Sequence, residues 1–184
     1  MDLLTRLGYR YPKRNAIRRG VVRLASTPAF SWLSAKALPT LDRLVLRMSR
    51  GRTSFSEIAA GTPVVVLTTR GARSDEPRTG LLLGIPLVDS LALIGTNFAQ
   101  PGTPSWVHNL LAYPRATITY RHTQVVVNAR ELLGAEYEQV FAAAALIYPG
   151  YRAYRARLKQ RPPKVFVLEP EITEAALTPN DGST

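Results

Sequence analysis

Hydrophobic and polar positions change period several times along the chain. Pro63–Thr69 is a short continuous apolar run, read as a strand. Thr79–Val88 and Leu91–Thr96 read as two further strands, turned at Asp89-Ser90. A helix is expected from Ser105 to Tyr113, closed by Pro114. Ala116–Tyr120 and Gln124–Glu131 make a hairpin around Arg121–Thr123. Tyr137, Val140, Phe141, Ala144 and Ala145 then repeat at helical spacing over Gly134–Ile147. Lys164–Leu168 is the last strand expected, and Glu169–Thr184 reads as a loose tail.

Before the first strand, Met1–Leu38 reads as short basic helical pieces broken at Pro12 and Pro28. A firmer helix is expected from a Thr40 cap, with Leu41, Leu44, Val45 and Met48 on one face and Arg43, Arg47 and Arg50 on another. Strands arriving in runs rather than alternating with helices point to a small α+β, barrel-like domain of about six strands with inserted helices. Three parts are expected: a basic helical extension over 1–39, the domain over 40–170 and a flexible tail over 171–184.

Composition narrows the chemistry. The 184 residues contain no Cys, which removes disulfides, thiolate metal sites and thiol catalysis. His108 and His122 are the only histidines and have no metal-ligand spacing, so no metal site is expected. The net charge of +11 is uneven: residues 1–60 hold half of the 24 Lys and Arg but only Asp2, Asp42 and Glu57 of the acidic residues. Lys13, Arg14, Arg18, Arg19 and Arg23 interleave with Ile17, Val21, Leu24 and Ala25, an arrangement suited to an anionic membrane surface. The alternative is a helix packed on the barrel or on a second copy in a homodimer. No recognised nucleic-acid-binding module accompanies the charge. No signal-peptide pattern is visible, and glycines and prolines interrupt the uncharged stretch Ser90–Pro114, so a cytoplasmic protein, peripheral to a membrane at most, is expected.

Three stretches carry candidate chemistry. "LTTRGARSDEPRT", Leu67 to Thr79, places Arg70, Arg73 and Arg78 with Ser74 and Thr79 around Gly71, a donor set suited to a phosphate or several carboxylates. The alternative is a solvated loop in which Asp75 and Glu76 neutralise two arginines. "IGTNFAQPGTPSWVHNL", Ile94 to Leu110, offers small residues for close backbone approach to a flat heterocycle, with Thr96 and Asn97 able to bond ring carbonyls. Trp106 and Leu110 read more simply as the buried face of the following helix. "IYPGYRAYRARL", Ile147 to Leu158, spaces Tyr148, Tyr151 and Tyr154 three apart, either as a ligand wall or as helix packing.

In this order and separation the three stretches resemble the deazaflavin (coenzyme F420)-dependent nitroreductase family, from about Thr40 to Pro170. The resemblance implies a split β-barrel that binds coenzyme F420. It places Arg73, Ser74, Arg78 and Thr79 at the cofactor's phosphate and oligoglutamate tail, and Gly95, Thr96 and Asn97 along the deazaflavin ring. Trp106 falls at the mouth of the site, and Tyr148, Tyr151 and Tyr154 on the substrate side. It further implies hydride transfer from the reduced cofactor to an activated alkene, quinone or nitro acceptor, a tyrosine donating a hydrogen bond where charge develops. The sequence departs from the family pattern at Leu81, where a proline is usual, at Asn97, which replaces a basic residue seen in some members, and at Leu83, which replaces an aromatic substrate contact. An FMN-binding split-barrel oxidoreductase and a non-catalytic F420-binding protein are the alternatives.

Overall fold

The structure, a computed structural model, describes residues 2–10, 20–21, 27–158 and 160–171. The basic stretch Lys13–Arg19 and Arg23–Ala25, and the tail beyond Glu171, lie outside the described residues. Seven strands form one antiparallel sheet: β1 (Val64–Arg70), β2 (Pro77–Leu83), β3 (Ile85–Pro86), β4 (Leu91–Ile94), β5 (Arg115–Tyr120), β6 (Thr123–Leu132) and β7 (Val165–Pro170). Their order is β2-β1-β5-β6-β7-β4-β3. The two edge strands are consecutive in the chain, joined through Gly84. The sheet must therefore curl until its edges meet, which is the split β-barrel.

Seven strands replace the six expected because the single run Thr79–Val88 is divided at Gly84. There the Tyr9 hydroxyl donates to the Gly84 carbonyl at 2.8 Å, breaking the ladder at the corner. The last strand also runs further than the expected Leu168: Glu169 and Pro170 stay in β7, and Glu171 pairs with Arg115.

Alternation fills both faces of the closing strands. Leu91, Leu93, Phe166 and Leu168 enter the barrel core with Val65, Leu67, Ile118, Tyr120 and Val127. Ala92, Ile94, Val165 and Val167 face outward into a second apolar cluster beneath the C-terminal helices. These helices are numbered with the rest in chain order: α1 (Leu3–Leu7), α2 (Pro28–Met48), α3 (Phe55–Ala60), α4 (Ser105–Ala112), α5 (Gly134–Ile147) and α6 (Gly150–Arg157).

The first helices differ from expectation. Thr40 does not start a helix; it lies inside α2, which begins with Pro28 in its first turn and carries Pro39 within. A proline removes one ladder bond, and here the helix continues through it, with good helix formers preceding it at Lys36, Ala37 and Leu38. The 39/40 boundary thus falls within one element, and Leu3, Leu7 and Tyr9 are buried in the barrel core. Nor is the stripe Leu41, Leu44 and Met48 covered: Leu44 is 53% exposed and Met48 77%. Among the described side chains of α2 the buried one is polar, Asp42 accepting from the Ser56 amide and hydroxyl at 2.8 Å each. Burial pushes the Asp42 carboxyl above its usual range.

Candidate active site

The loop between β1 and β2 is held closed from within. The Gly71 amide donates to the Glu76 carbonyl and the Asp75 amide to the Gly71 carbonyl, each at 2.9 Å. Arg70 forks onto Asp75, whose carboxyl that guanidinium holds below the usual carboxylate range. Arg70 also lies over the Tyr113 ring at 4.3 Å. Asp75 therefore neutralises only the arginine at the strand end. Arg73 and Arg78 have no acidic partner among the described residues, and Arg78 donates to the Ser74 hydroxyl at 3.1 Å. Ser74, Arg78 and Thr79 are all exposed. A braced loop with two guanidinium groups that lack an acidic partner among the described residues could receive an anion. The depression of about 190 Å³ beside it, between β1 and β5, is a poorer one, because Arg70 and Arg115 on its walls are already paired with Asp75 and Glu171.

Helix α4 joins this loop to the end of β4. At its first turn, Val107 and Trp106 pack on Gly95, where an added Cβ would lie 2.8 Å from the Val107 side chain. Glycine is needed there for the helix to approach the strand, a packing demand the sequence reading assigned to a ligand. Trp106 is 8% exposed and meets Phe166 edge-on at 5.8 Å, so its ring belongs to the barrel core. About one helical turn further on, Asn109 is buried and bonds the loop: its Oδ1 accepts from the Ala72 amide and its Nδ2 donates to Thr69 Oγ1, both at 2.9 Å. The sequence reading missed Asn109. Its signal was a polar residue three after Trp106, on the buried face of a short helix, where it must find partners. His108, on the same helix, is exposed.

After buried Gly95 and Thr96, the chain makes a left-handed turn. Asn97, Phe98 and Ala99 all have positive φ, 50°, 52° and 58°. Each costs roughly 1–2 kcal/mol for a non-glycine residue, so the surroundings must enforce the turn. Asn97 Nδ2 bonds the Pro101 and Gly102 carbonyls at 3.3 Å each, and both α2 and α6 pack against the turn. Asn97 thereby spends its amide on its own loop.

Ala99 borders the second apolar cluster, which contains the tyrosines. Tyr151 and Tyr154 are 4% and 3% exposed, and Tyr148 is half-buried. Tyr148 and Tyr154 share a hydroxyl hydrogen bond of 3.1 Å, and Tyr151 meets both rings edge-on. The close approach depends on Gly150, where an added Cβ would sit 2.2 Å from the Tyr148 ring. The anion loop, the α4 bridge, the left-handed turn and the tyrosines thus follow one another in space. Their order is the order of the three sequence stretches.

A family model described as F420H(2)-dependent quinone reductase matches residues 42–170. The F420H(2)-dependent quinone reductase of Mycobacterium tuberculosis (strain ATCC 25618 / H37Rv) is 29% identical over 102 residues, 54% of this chain and 68% of that protein. A solved structure described as an F420-H2 dependent reductase (FDR-A) superimposes with a TM-score of 0.53 at 30% identity, covering 58% of this chain and 94% of its own. Another, described as a domain-swapped dimer, gives a TM-score of 0.55 at 26% identity over 69% of this chain and 96% of its own.

Proposed function

The chain belongs to the F420H(2)-dependent quinone reductase family and is an F420-dependent oxidoreductase; from this premise we propose that its acceptor is a quinone and that the three stretches above form one site. One observation carries the proposal. Two arginines without acidic partners, on a braced loop, are connected by α4 to the Gly95–Asn97 segment and through the left-handed turn to a tyrosine hydroxyl pair.

The residues suit the cofactor. Arg73 and Arg78, with Ser74 and Thr79, would hold the phosphate and oligoglutamate tail. Gly95, Thr96 and Asn97 would run along the ring, with Trp106 behind Gly95 fixing that edge rather than covering the mouth. When bound and reduced, the deazaflavin supplies a hydride. The protein's own contribution is geometric and electrostatic. The left-handed turn holds the backbone next to the ring in one conformation, so little reorganisation accompanies reaction. Tyr148, the more exposed of the hydroxyl pair, would hydrogen-bond a quinone oxygen as negative charge gathers there, and Tyr154 would orient it. Tyr151, buried between them, serves as wall. Leu83, lying against the second cluster, gives the acceptor side an aliphatic surface suited to an apolar quinone. The neighbour described as a domain-swapped dimer supports a homodimer.

A panel assay with reduced F420 tests the acceptor. Quinones should be reduced at a higher kcat/KM than activated alkenes and nitroaromatics of similar potential. Turnover confined to alkenes or nitroaromatics would remove the quinone reading, and no turnover at all would favour a cofactor carrier.

A further inference from the structure

Asn109 lies outside the residues that would touch the cofactor, yet its side chain holds the β1 end of the anion loop and, through Thr69, is linked to the β2 end. Its Oδ1 takes the Ala72 amide just after β1, and its Nδ2 bonds Thr69 Oγ1. Thr69 in turn donates to the Arg78 carbonyl at 3.3 Å on β2. The central bond of this chain of three joins residues 6% and 2% exposed, where water does not compete and an unmade bond is costly, while the outer two reach the exposed loop. Each side-chain group in it has one role: the amide oxygen accepts, the amide nitrogen donates, and the threonine hydroxyl does both. Asparagine and threonine fit this pattern, whereas leucine and valine of similar volume do not.

The placement on α4 matters as much as the bonds. Trp106 and Val107 of the same helix abut Gly95, so α4 carries the ring-lining segment at its first turn and the anion loop at its second. An eight-residue helix is a rigid spacer at this length. We infer that Asn109 is a positioning residue that sets the distance between the anion-binding loop and the ring-lining segment, so that phosphate and ring of one cofactor molecule are engaged together. This rests on the assignment of Arg73 and Arg78 to the cofactor's anionic tail.

The inference separates two affinities that a merely structural residue would change alike. With the loop released from α4, the guanidinium groups keep their charge but lose their register. The whole cofactor should then bind less tightly, while the deazaflavin chromophore stripped of phosphate and glutamates, which never uses the loop, should not.

The test is a pair of binding titrations, intact F420 and the stripped chromophore, on wild type, Asn109→Ala and Arg78→Ala, each checked for folding by thermal melt. Asn109→Ala should raise the Kd for F420 at least about tenfold and change that for the chromophore by less than about twofold. If Asn109→Ala does not fold, Thr69→Val breaks the same chain from the strand and should give the same split. Equal weakening of both ligands in a folded variant would overturn the inference, as would unchanged F420 affinity while Arg78→Ala weakens it. No effect from Arg78→Ala would instead remove the anion-loop assignment and the inference with it.

Discussion

At the scale of single residues, the three tyrosines are not equivalent, although their sequence spacing makes them look so. Tyr151 and Tyr154 are core residues of the second cluster, and only Tyr148 combines partial exposure with a hydroxyl partner. Tyr148→Phe should therefore lower turnover by about tenfold or more, the loss of one hydrogen bond to developing charge, with F420 affinity nearly unchanged. Turnover at the wild-type rate with every accepted quinone would reduce Tyr148 to packing. Gly150→Ala should act through the same ring. Its Cβ has no room beside Tyr148, and relief by displacing that ring should cost on the order of 1–3 kcal/mol of stability as well as turnover. A melting temperature equal to wild type would show that the ring moves at no cost. Asn109 illustrates the limit of reading single residues. An asparagine on a helix is unremarkable until the loop it holds, nearly forty positions away, is placed beside it.

Elements were legible where one face or one run decided them. β1, the β5–β6 hairpin and α5 follow the apolar pattern to within a residue or two, because burial of those positions is what orders them. Where tertiary contacts decided, the sequence was mute. The division of β2 from β3 needs Tyr9 at Gly84, and the passage of α2 through Pro39 sets one lost hydrogen bond against the rest of a long helix. The left-handed turn at Asn97–Ala99 has no glycine to announce it. The tyrosine-bearing α6 depends on a further cross-element contact, since Arg155 forks onto Glu138 of α5 and lies over the Phe141 ring at 5.0 Å. The Arg155 guanidinium holds the Glu138 carboxyl below its ordinary value of 4.5. A carboxyl lowered in the folded state contributes stability that is fully present above 4.5 and lost as pH falls through the folded value. Glu138→Gln should thus lower the melting temperature slightly at pH 7, and the difference from wild type should vanish in strong acid. A difference that persists unchanged below that range would mean the ion pair contributes nothing and only side-chain packing was altered.

At the scale of the whole molecule, closure of the sheet on itself is what brings distant stretches together. Because β2 and β3 are the two edges of one sheet, the loop before β2 and the segment after β4 meet across α4 rather than lying at opposite ends. Of the described residues before the barrel, Leu3, Leu7 and Tyr9 enter its core and α2 packs on the turn at Asn97–Ala99. Among the described residues, no helix is long and apolar enough to cross a membrane. Arg73 and Arg78 are exposed at the loop between β1 and β2, so an anionic cofactor held there should bind more weakly as salt rises. How the cofactor is held is tested most directly by a fluorescence titration of F420 against wild type and the Arg73→Ala/Arg78→Ala double variant, with FMN in parallel. Wild type should bind F420 far more tightly than FMN. The folded double variant should lose about a hundredfold in F420 affinity, two charge-assisted contacts at roughly 1.4 kcal/mol each. F420 affinity unchanged in the folded double variant, or FMN bound as tightly as F420, would overturn the assignment of the loop to the cofactor.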